Sequence, residues 1–304
     1  MCGIFGVITN NEETQQNNSL FINSLNFIGK ASQSRGKDSS GLCIYNQETN
    51  EIDIFKGPMP VTRLLRHRDV RKNLSNGFKN NTQLSYAFGH ARLVTNGTQL
   101  NTDNNQPVIK NNIIGVHNGI VVNVDELWAN NKFLIREYEI DTEVLFALIH
   151  SNITNNNFSI ESAVSRTING INGTVATAFI ERTLNRFILA TNNGSLYTIK
   201  KENQYVIFAS EQFILEKLTK KFNFKKVIGD YSIDSIKPAS GLTIDLNDVS
   251  CLSFSFADKI VVESETINSI PLKINHHEIN PSDNQLSVVM DLNYIHLNLE
   301  VEKE

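Results

Sequence analysis

Short apolar runs broken at Gly or Asn, many of them too closely spaced for a crossover helix, constrain this chain most. Ile4–Ile8, Gly41–Tyr45, Ile52–Phe55, Tyr86–His90 and Ile113–His117 are rich in Ile, Val, Phe and Tyr and read as strands. A second group follows at Val175–Ile180, Phe187–Ala190, Leu196–Ile199, Val206–Ala209, Val227–Ile228, Ser232–Ile236 and Leu242–Leu246. Helical periodicity falls between them at Leu20–Ala31, Pro60–Leu74, Thr142–Ser151 and Ser159–Ile168, and Ser210-Glu211 reads as the N-cap of a helix through about Lys221. Consecutive strands joined by short turns pair antiparallel, and helices set between strand groups cover two outer faces. The expected fold class is therefore α+β, a four-layer αββα sandwich of two antiparallel sheets between helical layers.

Composition narrows the function classes. At 304 residues the chain can form one large domain, or a domain with an appendage. A net charge of -4 gives no electrostatic case for nucleic acid or an anionic membrane. No apolar run approaches the ~20 residues needed to span a bilayer. The N-terminus lacks a basic segment followed by an apolar one, so no secretory signal is expected. Three widely spaced cysteines, Cys2, Cys43 and Cys251, argue against a disulfide framework and for a reducing, cytoplasmic setting. No G-x-G-x-x-G or Walker-type loop supports nucleotide binding. The composition shifts near Asn247, beyond which strand-like Leu252–Phe256 and Ile260–Val262 precede polar segments with Pro271 and Pro281 and an apolar patch, Leu286–Leu299. The expected organisation is one domain over residues 2–247, with 248–304 an appendage or linker.

The chemistry begins at Cys2. A Cys after the initiator Met becomes the first residue of the mature chain when Met1 is removed. It then carries a thiol that titrates near ~8.5 and an α-amine near ~7.7–8.0, so one residue supplies nucleophile and base. Five further segments place polar residues where a simple core would not. They are Arg35-Gly36-Lys37-Asp38-Ser39-Ser40-Gly41, Gly89-His90-Ala91-Arg92-Leu93-Val94-Thr95-Asn96-Gly97, Asn105-Gln106-Pro107, His117-Asn118-Gly119 and Asp141-Thr142-Glu143. Each has a plain reading in isolation. Asn118-Gly119 is a strong type I′ hairpin signal. Asp141 suits the N-cap of the helix that follows. Arg92 reads as a strand-end surface charge, and Arg35 as a partner for Asp38. His276-His277 reads as a solvated pair, since no further ligands stand at metal-site spacing.

Taken in order behind Cys2-Gly3-Ile4-Phe5-Gly6, these segments resemble the class II glutamine amidotransferase domain, over roughly Cys2 to Asp245. The resemblance implies the N-terminal nucleophile hydrolase type of sandwich and hydrolysis of the glutamine side-chain amide through a thioester on Cys2. It implies that Asn118 and Gly119 form the oxyanion hole, and that Arg92 and Asp141 hold the α-carboxylate and α-ammonium with help from Thr95 and Gly119. Arg35 and His90 are expected to organise the site. His90 and His117 are expected to be structural, because the α-amine already serves as base. No cofactor or metal is implied. Leu93 stands where glucosamine-6-phosphate synthases carry Trp, and Asn105-Gln106-Pro107 is closer to phosphoribosylpyrophosphate amidotransferases, which leaves the subfamily open. Residues 248–304 are too few for a synthase domain, given typical sizes of about 100–150 residues. The expected partners are L-glutamine and a separate ammonia-accepting synthase subunit, with a homo-oligomer compatible. The alternatives are a glutamine-binding regulatory module without transfer chemistry and an acylase acting on another amide; the Arg92/Asp141 pair favours a free amino acid over the latter.

Overall fold

The computed structural model describes residues 2–10, 18–79, 83–94, 97–258, 272–281 and 287–291. Strands β1 (Gly3–Asn10), β2 (Ser39–Asn46), β3 (Glu51–Gly57) and β4 (Leu84–Arg92) form the centre of a first sheet. Strands β5 (Val108–Lys110), β6 (Ile113–Val121), β7 (Gly173–Glu181) and β8 (Arg186–Thr191) build most of a second. The chain then returns to the first sheet with β9 (Tyr197–Lys201), β10 (Tyr205–Ala209) and β11 (Asp234–Ser235), and to the second with β12 (Ser240–Asp245) and β13 (Cys251–Ser255). Finally β14 (Lys273–Glu278) and β15 (Ser287–Asp291) join the first sheet, which runs β11-β9-β10-β1-β4-β2-β3-β14-β15. The second runs β13-β12-β8-β7-β6-β5. Among the described residues every pairing is antiparallel except that of β14 on β3.

Alternation along the strands makes three apolar layers. Phe5 and Val7 of β1 point outward onto Phe21, Leu25 and Ile28 of helix α1 (Asn18–Ser32). Helices α2 (Val61–Leu64) and α3 (Arg68–Gly77) pack on the same side, as do α7 (Gln212–Lys221) and α8 (Phe224–Ile228). Ile4 and Ile8 point the other way, toward Ile114, Val116, Phe187 and Leu189 of the second sheet. The outer face of that sheet is covered by α5 (Thr142–Thr154) and α6 (Ile160–Asn169), which bury Leu145, Phe146, Ile149, Ala163 and Val164 on Ile113 and Phe179. The short α4 (Val124–Asn130) precedes α5. The result is the expected αββα order. Sheets buried on both faces also explain why the strand segments read as nearly continuous apolar runs. Gly6 is required by this sandwich: a Cβ there would lie 2.2 Å from the Phe208 ring between the sheets.

Several local expectations are corrected. The helix expected over Pro60–Leu74 is two helices, because buried positions Val61, Leu64 and Leu65 give way to a new phase at Val70 and Leu74. His67 between them is extended. Val227–Ile228 is not a strand but the end of α8, anchored by the buried Phe224, with Val227 exposed. Ser232–Ile236 narrows to β11. Ser210-Glu211 stands at the start of α7, yet neither side chain caps it: the Ser210 hydroxyl accepts from Ile4 N at 2.8 Å instead. The Asn118-Gly119 pair makes no turn and sits inside β6, opposite Ala176 and Val175.

Beyond Asn247, β13 extends the second sheet and β14 the first, so the described part of 248–304 is woven into both. Ile260–Val262 and most of Leu286–Leu299 lie outside the described residues. His276 and His277 are not a solvated pair. They lie on β14, where His277 Nε2 is 2.8 Å from Asp53 Oδ1 and its ring stacks on Phe55 at 4.4 Å. No helix among the described residues is long and apolar enough to cross a membrane.

Candidate active site

The alternation that sends Ile4, Phe88 and Val116 into the layer between the sheets also carries Cys2, Arg92 and Asn118 to its end. There β1 and β6, from different sheets, are tied by a hydrogen bond from Cys2 N to Asn118 Oδ1 at 2.9 Å. With Oδ1 turned to that nitrogen, the Asn118 amide directs its Nδ2 donors elsewhere. The Cys2 carbonyl accepts from Arg35 Nε at 2.7 Å, and the thiol lies 3.5 Å from the Leu93 carbonyl. Burial pushes the Cys2 thiol above its usual range, and the guanidiniums of Arg92 and Arg35 pull it back.

Arg35 does not pair with Asp38. Its guanidinium forms an ion pair with Glu211, while Asp38 accepts from Val94 N at 2.8 Å and donates its own N–H to the Arg92 carbonyl at 3.0 Å. Gly36 is extended, but a Cβ there would fall 2.3 Å from the Arg92 carbonyl carbon. That close approach lets the Arg35–Asp38 loop lie flat on the strand end carrying Arg92.

Arg92 is buried rather than a surface charge. Its Nη1 donates to Asn105 Oδ1 at 3.0 Å and its Nη2 to the Gly97 carbonyl at 3.1 Å. Gln106 holds the residue before Asn118 through both amide atoms, accepting from His117 N at 2.6 Å and donating to His117 O at 3.0 Å. Asp141 occupies the N-cap position of α5 without capping it; its Oδ2 accepts from Val121 N at 2.9 Å, at the end of β6. His117 Nδ1 lies 3.3 Å from Thr142 Oγ1 and 3.9 Å from Asp141 Oδ1. Gly119 leaves no room for a side chain, since a Cβ would stand 1.8 Å from the Thr174 carbonyl oxygen.

His90 is fully buried on the inner face of β4, between Ile4 and Gly41 in register and against the His117 backbone. Burial, with Arg92 and His117 nearby, pushes it down to about 3, which makes it a poor base for a thiol. Burial likewise holds His117 below its ordinary value. Thr95 lies outside the described residues. The structure thus brings together Cys2, Asn118, Arg35 and Arg92, with His90 behind them and Asp141 at the end of the strand carrying Asn118. Sequence reasoning missed Glu211, taken only as a helix cap, and the buried Lys56 discussed below. Among the described residues no cluster of three His, Cys, Asp or Glu could hold a metal ion.

Residues 90–217 match the glutamine amidotransferase domain family. The chain is 30% identical over 242 residues to a glutamine–fructose-6-phosphate aminotransferase (isomerizing) of Buchnera aphidicola, covering 78% of this chain and 36% of that one. The Escherichia coli protein of the same name is 26% identical over 228 residues, 74% of this chain and 34% of the relative. The chain therefore spans about a third of the length of these relatives. Among solved structures, glutamine phosphoribosylpyrophosphate amidotransferase from B. subtilis superposes with a TM-score of 0.58 at 23% identity, over 85% of this chain and 50% of that one. The fold agrees with that of the solved amidotransferase, and the sequence match stands with the motif order around Cys2: the matched residues 90–217 carry a glutamine amidotransferase domain.

Proposed function

We propose that the chain hydrolyses the side-chain amide of L-glutamine through a thioester on Cys2. The observation that carries this is the Cys2 nitrogen resting on Asn118 Oδ1, with Arg92 and Arg35 acting electrostatically on the thiol. In this reading Met1 is removed and the freed α-amine of Cys2 takes the thiol proton. The thiolate attacks the amide carbon, and the resulting oxyanion accepts from Asn118 Nδ2 and the Gly119 N–H. Collapse returns the proton to the leaving nitrogen, which departs as ammonia, and water then cleaves the thioester to glutamate. Burial raises the thiol above its usual range, and in this reading transfer of its proton to the adjacent amine offsets that cost. The assay is glutamate release from glutamine: Cys2-dependent turnover is expected, and turnover that survives loss of Cys2 would refute the mechanism.

Arg92 clamps the substrate carboxylate and Asp141 its ammonium, with Thr95 and Gly119 completing the amino-acid end. A guanidinium offers a planar fork that an ammonium cannot reproduce. Arg92→Lys is therefore expected to raise KM for glutamine by about 10–100-fold, the worth of one hydrogen bond to a charged group. Steady-state kinetics checks this; an unchanged KM would remove Arg92 from the site.

The ammonia is consumed on a separate synthase subunit, in the cytoplasm, where the three free cysteines stay reduced. The long relatives named above support coupling to a further domain. Free ammonia is mostly protonated at neutral pH and lost as a nucleophile, so docking on the synthase should raise glutaminase turnover. Turnover that is full and indifferent to every candidate synthase would contradict this.

A further inference from the structure

Strand β14 lies beside a buried cation that neither the sequence motifs nor the proposed chemistry uses. Lys56 on β3 is 4% exposed. Its Nζ donates to the Asn105 carbonyl at 3.1 Å and lies 3.5 Å from the Pro107 carbonyl. Asn105 is the residue whose Oδ1 receives Arg92 Nη1, while its own Nδ2 donates to the Gln99 carbonyl at 2.8 Å. Gly41, the register partner of Lys56 on β2, meets the same segment, since a Cβ there would stand 2.1 Å from the Gln106 carbonyl oxygen.

Glu278 of β14 is the register partner of Lys56 in the parallel pair. The next residue donates its N–H to the Lys56 carbonyl at 3.0 Å, and that Ile279 is buried. The Glu278 carboxylate also accepts from the Thr102 hydroxyl at 2.5 Å, reaching the short helical turn that leads into Asn105. Strand β14 therefore touches the loop bearing the Arg92 partner at two points, one directly and one through Lys56.

We propose that Lys56 and Glu278 are positioning residues for the glutamine-carboxylate clamp, so that strand β14 sets the affinity for glutamine. This rests on the reading of Arg92 as that clamp. A neutral side chain at 278 removes one of the two carboxylates, Asp103 and Glu278, that act on the buried ammonium, and the bonds that fix Asn105 weaken. Burial already drives Lys56 down to about 8, against the opposing charges of Asp103 and Glu278. Arg92 then loses its fixed orientation, while Cys2 and Asn118 keep theirs.

The test uses the full chain and steady-state glutaminase kinetics. Glu278→Gln is expected to raise KM for glutamine about tenfold, with kcat within about twofold of wild type, as for loss of one charge-assisted contact. Thr102→Val, on the surface turn, should raise KM by a smaller factor with the same split, and it serves if Glu278→Gln does not fold. Folded variants with unchanged KM, or a fall in kcat at constant KM, would overturn the brace alone. Absence of Cys2-dependent turnover in the wild type would overturn the glutamine reading and the brace with it.

Discussion

A Cys2→Ala chain is expected to lose glutamine hydrolysis by at least about 10³-fold, because neither of the other thiols can replace it. Cys43 is fully buried, and burial together with Asp53 holds its thiol well above the usual range. Burial, reinforced by Glu202, pushes the Cys251 thiol up to about 11. Cys2 is also raised by burial, but it alone has guanidiniums, Arg92 and Arg35, acting to favour the thiolate. Its activity should depend on the free α-amine. In wild type, kcat/KM should rise with pH as that amine loses its proton near ~7.7–8.0. The base must be unprotonated to accept from the thiol, so activity lies on the alkaline side of this titration. A chain that retains Met1 should be inactive at every pH, since its Cys2 nitrogen is an amide. Retained activity in Cys2→Ala, measured as glutamate release, would end the proposal.

The second large effect concerns Asn118. Truncation to Ala removes the acceptor of the Cys2 nitrogen and one oxyanion donor together. The expected loss in kcat is ~10²–10³, with a much smaller change in KM, because the donor acts on charge that develops only in the transition state. Thermal melting should move little, as the side chain leaves the β6 backbone pairing in place. Gly119→Ala should behave differently. Its Cβ would meet the Thr174 carbonyl at 1.8 Å, so β6 and β7 must part, at a cost of about 1–3 kcal/mol in stability besides the catalytic loss. Melting curves beside kinetics separate the two. An Asn118→Ala chain with full kcat would place the oxyanion elsewhere.

The four layers were legible because both sheets are buried on both faces, so strand segments such as Ile4–Ile8 and Ile113–His117 stand out as apolar runs. The places where sequence reasoning failed have physical causes. Asn118-Gly119 carries strong turn chemistry, but Gly119 is small because a neighbouring strand carbonyl occupies the space of its Cβ. Val227–Ile228 has β-branched residues, yet one buried phenylalanine, Phe224, fixes a helical turn there. Helix α4 has no buried residue and so leaves little apolar signal. Around the site, the groups that touch Cys2 were readable as a set, whereas their supports were not. Glu211 and Lys56 come from distant strand and helix ends, and nothing in their local sequence announces the ion pair with Arg35 or the grip on Asn105. Likewise β14 reaches β3 by a parallel pairing that short-turn logic does not anticipate.

The most direct measurement is the intact mass of the chain before and after a glutamine-mimicking electrophile, followed by mapping of the adduct. The expected result is a chain lacking Met1 that gains one adduct, on Cys2, suppressed by excess L-glutamine and absent from Cys2→Ser. Retained Met1 in an active preparation, or an adduct that persists in Cys2→Ser, would contradict a thioester mechanism at the N-terminal cysteine.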